Sequence, residues 1–330
     1  MKEKQCIIVA GPTAIGKTAE AIRLAKLHNT SIISADSRQC YRELRIGVAR
    51  PTEDELKEVK HYFIANHSIT ENISAATFAK EASTCLDEIF KNHDIAIVCG
   101  GTGLYIKALV EGLDEIPPTP DEIRAEVIQL YKEKGIDALR NRLLALDPSF
   151  AGRGDIQNPQ RMMRALEVVV SSGRSIFDFY RSVDSSQLTV GIQENTVDSS
   201  QLTVGIQKNT VDILQLNVNS QPATVNCQPP TVNRQQIKFS YKILSLSREE
   251  LYSRINKRVD KMIEQGLEDE VRSLMAYKDL PALQTVGYKE FFDCFDGKCT
   301  REEAIEKIKQ HTRNYAKRQI TWFKRIAVDG

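Results

Sequence analysis

The sequence predicts an α/β fold: a P-loop-type parallel sheet flanked by helices, with an inserted helical domain. Three observations carry this. Short apolar, β-branched runs alternate with helical periodicity across residues 5–99. A glycine-rich GPTAIGKT stands at 11–18, between one such run and the helix after it. Strand-like alternation then disappears from about 121 to 182 and returns at 237–246.

The first run, QCIIVA at 5–10, reads as a buried strand that ends at a glycine. Apolar spacing at Ala21, Leu24 and Ala25, extending to His28, predicts a helix over 17–28. SIISA at 31–35 and IAIVC at 95–99 are the second and third strands, with helical pattern between them, as in AKEASTCLDEIF at 79–90. Strands alternating with helices imply a parallel sheet, and ligands of such sheets bind beyond the carboxyl ends of the strands. PPTP at 117–120 is a stiff break, and helical segments follow it. IKFSYKILSL at 237–246 alternates like a strand. From Ser247 to Arg325 the pattern is helical again, and Ser247 with Glu250 reads as a capping box. The domains expected are a P-loop core of 1–118 with 237–330, a helical insertion at 119–182, and a second insertion at 183–236.

That second insertion is repetitive. VDSSQLTVGIQENT is followed by VDSSQLTVGIQKNT and then by a degenerate VDILQLNVNSQPAT. The copies are polar, with one apolar alternation each, as at Leu188, Val190 and Ile192. They read as a surface insertion, either flexible or a loose β-meander, whose removal would leave the core intact. The rival reading has the repeats extending the sheet edge near Ile237.

Composition narrows the class. With 41% apolar and 27% charged residues in 330, the chain reads as a soluble protein of one large or two ordinary domains. The formal charge of +1 leaves nucleic-acid binding to local clustering of charge. The 7 cysteines form no Cys-x-x-Cys or zinc spacing, which reads as reduced thiols in a cytoplasm. The apolar run after the start is too short for a signal peptide, and no stretch approaches a membrane span.

GPTAIGKT matches G-x-x-x-x-G-K-[ST]. Gly11 and Gly16 let backbone N–H groups converge on anionic oxygens, and the helix beginning near Lys17 adds its dipole. Lys17 neutralises phosphate charge, and Thr18 can hold Mg²⁺. A chance glycine turn is the bland alternative; the strand before and the helix after argue against it. An ordinary ATPase would also need an acidic residue after the third strand, whereas IAIVC runs into Gly100 and Gly101. The nearest acidic group at a strand end is Asp36, in SADSRQCY. It can act as a general base beside a phosphate-bound reactant, or merely cap a helix.

GPTAIGKT at 11–18, SADSRQCY at 34–41 and GGTGLYIKAL at 100–109 together resemble the tRNA dimethylallyltransferase (isopentenyltransferase) family. NPQRMMRALEV at 158–168, RINKRVDKMIEQGLEDEV at 254–271, QTVGYKE at 284–290 and AKRQITWFKR at 316–325 resemble further motifs of that family, in order. The resemblance spans the chain except 183–236. It departs at Gly47-Val48-Ala49-Arg50, where Gly-Thr-Ala-Lys is usual, and at Arg38, where Met is common.

The resemblance implies transfer of a dimethylallyl group from dimethylallyl diphosphate to N6 of the adenosine just 3′ of the anticodon of tRNA. It makes Asp36 the base, with Thr102 and Arg258 also catalytic. The donor's diphosphate would lie on Gly11, Pro12, Thr13, Ala14, Ile15, Gly16, Lys17 and Thr18, with Mg²⁺ at Thr18. The anticodon stem-loop would be held by Asp36, Ser37, Arg38, Gln39, Thr102 and Arg124. Gln160, Arg161, Met162, Met163 and Arg164 would join them. So would Gln284, Thr285, Val286, Gly287, Tyr288 and Lys289. The last group is Lys317, Arg318, Gln319, Ile320, Thr321, Trp322, Phe323 and Lys324. A cytoplasmic monomer without membrane contact is expected.

The residues make chemical sense of the scheme. An anion cradle stabilises a departing diphosphate as it would a transferred phosphoryl group. No phosphoryl group moves, so the missing acidic residue is tolerable. The last helix interleaves basic residues (Lys307, Lys309, Arg313, Lys317, Arg318, Lys324, Arg325) with Tyr315, Trp322 and Phe323. A solvated charged face around a buried Trp would give the same pattern. Three rivals stand beside this reading: an adenylate isopentenyltransferase with a free-nucleotide acceptor, a small-molecule P-loop kinase, and a catalytically silent tRNA-binding protein. tRNA binding separates the first from the main reading, ATP turnover the second, and the intact Lys17, Thr18 and Asp36 speak against the third.

Overall fold

The structure, a computed structural model, describes residues 3–180, 213–218 and 237–329. In chain order the elements are β1 (Lys4–Ala10), α1 (Lys17–Leu27), β2 (Ile32–Ser34), α2 (Glu53–Glu58), β3 (His61–Tyr62), α3 (Ala75–Phe90), β4 (Ile95–Gly100) and α4 (Gly103–Val110). Next come α5 (Asp121–Leu146), α6 (Phe150–Arg153) and α7 (Pro159–Ser172). β5 (Ile213–Val218), β6 (Ile237–Leu244), α8 (Arg248–Glu264), α9 (Leu267–Ser273), α10 (Lys289–Phe295) and α11 (Arg301–Asp329) complete the chain.

The strands form one sheet in the order β3-β2-β4-β1-β6-β5. The first five are mutually parallel: Ile8 pairs with Val98 of β4 on one side and Tyr241 of β6 on the other. β1 is central because Cys6, Ile8, Val9 and Ala10 are fully buried, so both sheet faces need helix cover. Parallel pairing puts the loops after β1, β2 and β4 at one sheet end, so GPTAIGKT, SADSRQCY and GGTG emerge together.

β5 differs in direction. It pairs antiparallel with β6 from Ile213 opposite Leu244 to Val218 opposite Phe239. These six residues belong to the degenerate third repeat, so that copy extends the sheet edge, as the rival reading of the insertion had it. The flexibility expected for the remaining repeats falls on residues outside those described. The two-residue β3 also escaped the sequence reading; its edge position asks for no apolar run.

Local chemistry explains the helix ends. Asn158 accepts hydrogen bonds from the N–H groups of Gln160 and Arg161, Pro159 opens α7, and Gly173 at φ 70° closes it. Ser247 accepts from the Glu250 N–H at 3.2 Å, which is half of the expected capping box. The Glu250 carboxylate instead accepts from Arg254 at 2.7 Å. Gly135, at φ 75°, breaks α5 into two helical stretches.

The chain divides into two compact units, Met1–Gly112 with Gln187–Gly330, and Leu113–Ser186. The first holds the sheet and its main core of Ile8, Ile33, Leu86, Val98, Tyr288, Phe291 and Phe323. The second is helical and packs Val127, Leu139, Leu143, Phe150, Met162 and Leu166 into its own core. Among the described residues no helix is long and apolar enough to cross a membrane.

Candidate active site

The phosphate loop owes its shape to two backbones that only glycine tolerates well. Gly11 sits at φ 143°, and a Cβ there would come 2.8 Å from the Leu244 carbonyl oxygen; Gly16, at φ 101°, caps α1. Pro12 and Ile15 are buried, so they serve the loop's conformation rather than offering side chains to a ligand. Lys17 Nζ donates to the Pro12 carbonyl at 2.7 Å. Burial pushes its ammonium down to about 8 from 10.5; Arg258 acts the same way, against the pull of Cys99 and Asp36. A diphosphate on the loop would restore that charge. Thr18 lies half-exposed in the first turn of α1.

Three further elements meet this loop. Arg258 of α8 donates to Thr13 Oγ1 at 3.0 Å, and burial holds its guanidinium below its ordinary value while Asp36 opposes the shift. Gln319 of α11 is buried and works in both directions. Its Oε1 accepts from the Thr13 N–H at 2.8 Å, and its Nε2 donates to the Gly101 carbonyl at 2.9 Å. Gln319 therefore ties the phosphate loop to the loop after β4.

Asp36 follows β2 in an Asx-type turn: its Oδ1 accepts from the N–H of Arg38 at 2.9 Å and of Gln39 at 3.3 Å. These two bonds occupy one oxygen. Thr102 Oγ1 accepts from the Ser37 N–H at 3.1 Å, fixing the two loops to each other. Gln39 turns inward, donating to the Val48 and Ala49 carbonyls at 3.2 and 3.1 Å and accepting from Ser34.

A cavity of about 550 Å³ joins these parts. Thr13, Asp36 and Arg258 line it, with Ser37, Arg38, the loop 47–49, Gln284 to Gly287, Lys289, and Tyr315 and Arg318 of α11. Burial pushes the Tyr315 phenol up to about 12, and Asp36 adds to the shift. A second cavity of about 370 Å³ shares Ser37 and Arg38 with the first and adds Thr102, Leu104 and Tyr105.

The structure redistributes several expected tRNA contacts. Tyr288 is fully buried and its hydroxyl donates to Glu270 at 2.5 Å, so it braces the core and offers RNA no surface. Phe323 at 2% exposure and Met162 and Met163 at 0% and 7% are core side chains. Their motifs are amphipathic helices, and apolar members of such a motif face inward. Gln319 and Gln39 are spent on the loops just described. Trp322 packs on Gly103, where a Cβ would lie 2.0 Å from its Nε1, and Ile320 packs beside Ile255 and Ala316. Lys317, Arg318, Thr321 and Lys324 stay exposed. Arg124, Gln160, Arg161 and Arg164 belong to the helical unit. There Arg161 lies 3.7 Å from Asp155, and Arg164 donates to Thr119 at 2.8 Å.

Two residues with structural weight were not singled out from the sequence. The Glu270 carboxylate accepts from the N–H groups of Arg45 (3.1 Å), Ile46 (2.8 Å) and Gly47 (3.1 Å), besides Tyr288. It thereby sets the 47–49 wall of the first cavity. Buried Glu290 accepts from the Gly287 N–H at 2.8 Å and from His311 Nδ1 at 2.5 Å. Both lie inside quoted motifs, yet only long-range contacts give them a role.

Among the described residues no group of three or more His, Cys, Asp or Glu side chains could hold a metal. A Mg²⁺ ion fits this site only with ligands from elsewhere. Thr18 can offer one oxygen, and diphosphate oxygens and water would supply the rest, as is usual for Mg²⁺.

The family described as IPP transferase matches residues 39–217 and 210–326. A tRNA dimethylallyltransferase of Cytophaga hutchinsonii is 39% identical over 98% of this chain and 91% of its own length. That of Christiangramia forsetii is 40% identical over 97% and 90%. The full-length tRNA isopentenylpyrophosphate transferase of Bacillus halodurans superposes with a TM-score of 0.58 at 31% identity, covering 98% of this chain and 87% of that one. A eukaryotic dimethylallyltransferase acting on tRNA shares the fold, with a TM-score of 0.67 at 23% identity over 97% and 69%. With a family match along most of its length and relatives near 40% identity across it, this chain belongs to the IPP transferase family.

Proposed function

We propose that this enzyme transfers the dimethylallyl group of dimethylallyl diphosphate to N6 of the adenosine immediately 3′ of the anticodon in tRNA, releasing diphosphate. The observation that carries the reading is one cavity lined by a phosphate-loop residue, Thr13, a carboxylate, Asp36, and a guanidinium, Arg258. The phosphate loop, Lys17 and Arg258 would hold the leaving group. N6 would attack the donor's first carbon as the carbon–oxygen bond breaks, and the departing electron pair would remain on the diphosphate. Fixed positive groups there stabilise charge as it develops. Asp36 would take the N6 proton; the Arg38 and Gln39 N–H groups hold one of its oxygens and so orient the other. Mg²⁺, carried by Thr18 and the donor, would supply further charge neutralisation.

The target adenine is stacked in its loop and would have to be turned out to reach Asp36. A cytoplasmic location and a monomeric state complete the proposal. The test is incubation with tRNA lacking the modification and with dimethylallyl diphosphate, then mass spectrometry of the digested nucleosides. A prenylated adenosine at that position, with AMP unmodified and ATP not consumed, is the expected result. Prenylation of AMP instead would transfer the assignment to a free-nucleotide acceptor.

A further inference from the structure

Thr13 and Arg258 bring the first cavity to the phosphate loop, and Asp36 stands where the acceptor's proton would go. Five larger apolar side chains line the same cavity and have no part in that chemistry. Val48 precedes α2, Val259 and Met262 lie on α8, Val286 precedes α10, and Ile308 lies on α11. Val259 and Ile308 are 2% exposed and belong to the main core; Val48, Met262 and Val286 are half-buried and pack on it. The core therefore reaches the cavity wall as an apolar surface. α8 joins this surface to the diphosphate site. Arg258 donates to Thr13 Oγ1 at 3.0 Å, and Met262, four residues on, shares its face of the helix one turn away.

Val48 is the member of this group with the least freedom to move. Glu270 holds the N–H groups of Arg45, Ile46 and Gly47. Gly47 lies against the Tyr288 ring, where a Cβ would come 2.5 Å from a ring carbon. Gln39 Nε2 donates to the carbonyls of Val48 and Ala49 at 3.2 and 3.1 Å. Ala49 itself is left-handed at φ 47°, with its N–H on the Ile46 carbonyl at 2.9 Å. The Val48 side chain is β-branched, with one stiff torsion and no polar atom. Met262, by contrast, has a flexible chain that adapts to whatever lies beside it. Gln39 also bonds Asp36 through its own N–H at 3.3 Å, so a single residue ties Val48 to the carboxylate.

We propose that these apolar side chains receive the donor's hydrocarbon tail, and that Val48 is a specificity-determining residue that selects a tail without oxygen. The inference rests on the dimethylallyl reading above. The acceptor adenine is rimmed by nitrogen atoms, whereas the dimethylallyl tail carries no polar atom, so the tail is the part of either substrate that an apolar wall suits. Burying hydrocarbon against that wall is favourable. A hydroxyl placed against Val48 gives up water for a side chain that can neither donate nor accept. A rigid wall cannot turn away to relieve the mismatch, which is why the clamped Val48 discriminates where Met262 would adapt.

The test compares kcat/KM for dimethylallyl diphosphate and for its analogue with a hydroxyl on one terminal methyl group. The acceptor is an unmodified anticodon stem-loop, and the proteins are the full chain as wild type, Val48→Thr and Val48→Ala. Wild type should prefer the plain donor by roughly 10- to 100-fold, the range in which a hydrophobic pocket rejects a hydroxylated isostere. Val48→Thr keeps the volume and adds a group that can donate or accept. Its preference should fall by about three- to tenfold, mainly through better use of the hydroxylated donor. Val48→Ala removes the branch without adding a polar atom, so both donors should slow by similar factors. Each preference is a ratio taken within one protein, so a loss of folded material cancels. Wild type indifferent to the hydroxyl overturns the proposal, as does Val48→Thr with the wild-type preference. KM for the stem-loop is measured in the same series. If Val48→Thr moves that KM and leaves donor preference alone, Val48 faces the acceptor and the tail assignment fails. Wild type that prenylates the stem-loop with neither donor removes the proposed function, and the tail subsite with it; active wild type with unchanged preference in Val48→Thr removes only the subsite.

Discussion

Glu270→Gln isolates one carboxylate without changing the size of the side chain. Glu270 Oε1 receives Gly47 N–H and Tyr288 O–H, and Oε2 receives Arg45 N–H and Ile46 N–H. A carboxamide keeps one oxygen. Its best orientation leaves that oxygen on Arg45 and Ile46 and turns the NH₂ toward Tyr288, whose hydroxyl can rotate to accept. Gly47 N–H then loses the carboxylate, is left with only a share of the Tyr288 hydroxyl oxygen, and faces a second donor. A poorly satisfied buried N–H costs about 1–3 kcal/mol, and two bonds that lose a charged acceptor add roughly another 1–2 kcal/mol. The expected loss of stability is about 2–5 kcal/mol. Urea unfolding should show it as a lower midpoint at constant slope. The catalytic consequence follows from position. Gly47 to Ala49 wall the cavity, and Val48 and Ala49 hold Gln39, whose N–H touches Asp36. The turnover rate should therefore fall in protein that is still folded, while binding of the tRNA stem-loop changes little. A stability loss under about 1 kcal/mol with normal turnover would refute the reasoning, because four donors cannot depend on a carboxylate that a carboxamide replaces freely.

Further outcomes are expected. Asp36→Asn should cut single-turnover prenyl transfer by about 10²–10⁴-fold and leave tRNA affinity near wild type; a near-normal rate would remove Asp36 as the base. Lys17, held at about 8 by burial, loses its proton as pH rises through that value, so binding of the diphosphate donor should weaken above it. Lys17→Arg should flatten this dependence, as seen in donor KM against pH. Gly103→Ala sets a Cβ 2.0 Å from Trp322 Nε1 and should cost about 1–3 kcal/mol of stability by overpacking, read as a lower melting temperature. Gly135→Ala, where nothing lies within 4 Å, should lower the melting temperature by a smaller cost of about 1 kcal/mol, because only its φ of 75° opposes the side chain.

The sequence alone determined the parallel sheet and the phosphate loop, because both are local chemistry. β-branched runs ending in glycine make buried strands, and GPTAIGKT needs only its own backbone and the next helix to converge its N–H groups. It also placed Asp36 at the correct sheet end, since parallel strands put all their carboxyl-end loops on one side. The helical character expected over about 121 to 182 was legible from the pattern and holds as far as Ser172, where Gly173 ends α7 and only a short turn at Ile176–Asp178 follows. Motif likeness assigned roles to whole segments, and there the tertiary structure decided. AKRQITWFKR is one helix with two faces: Gln319 and Phe323 turn inward, while Lys317 and Lys324 stay outside. Which face is inner depends on what packs against it. The same limit hid Glu270 and Glu290, acidic residues inside charged helices whose partners stand 224 and 21 residues away. It also left open whether a polar repeat could become strand β5, because the edge it joins, β6, is created by the rest of the sheet. A contact between distant residues leaves no period or spacing in the chain, so only the folded core could reveal it.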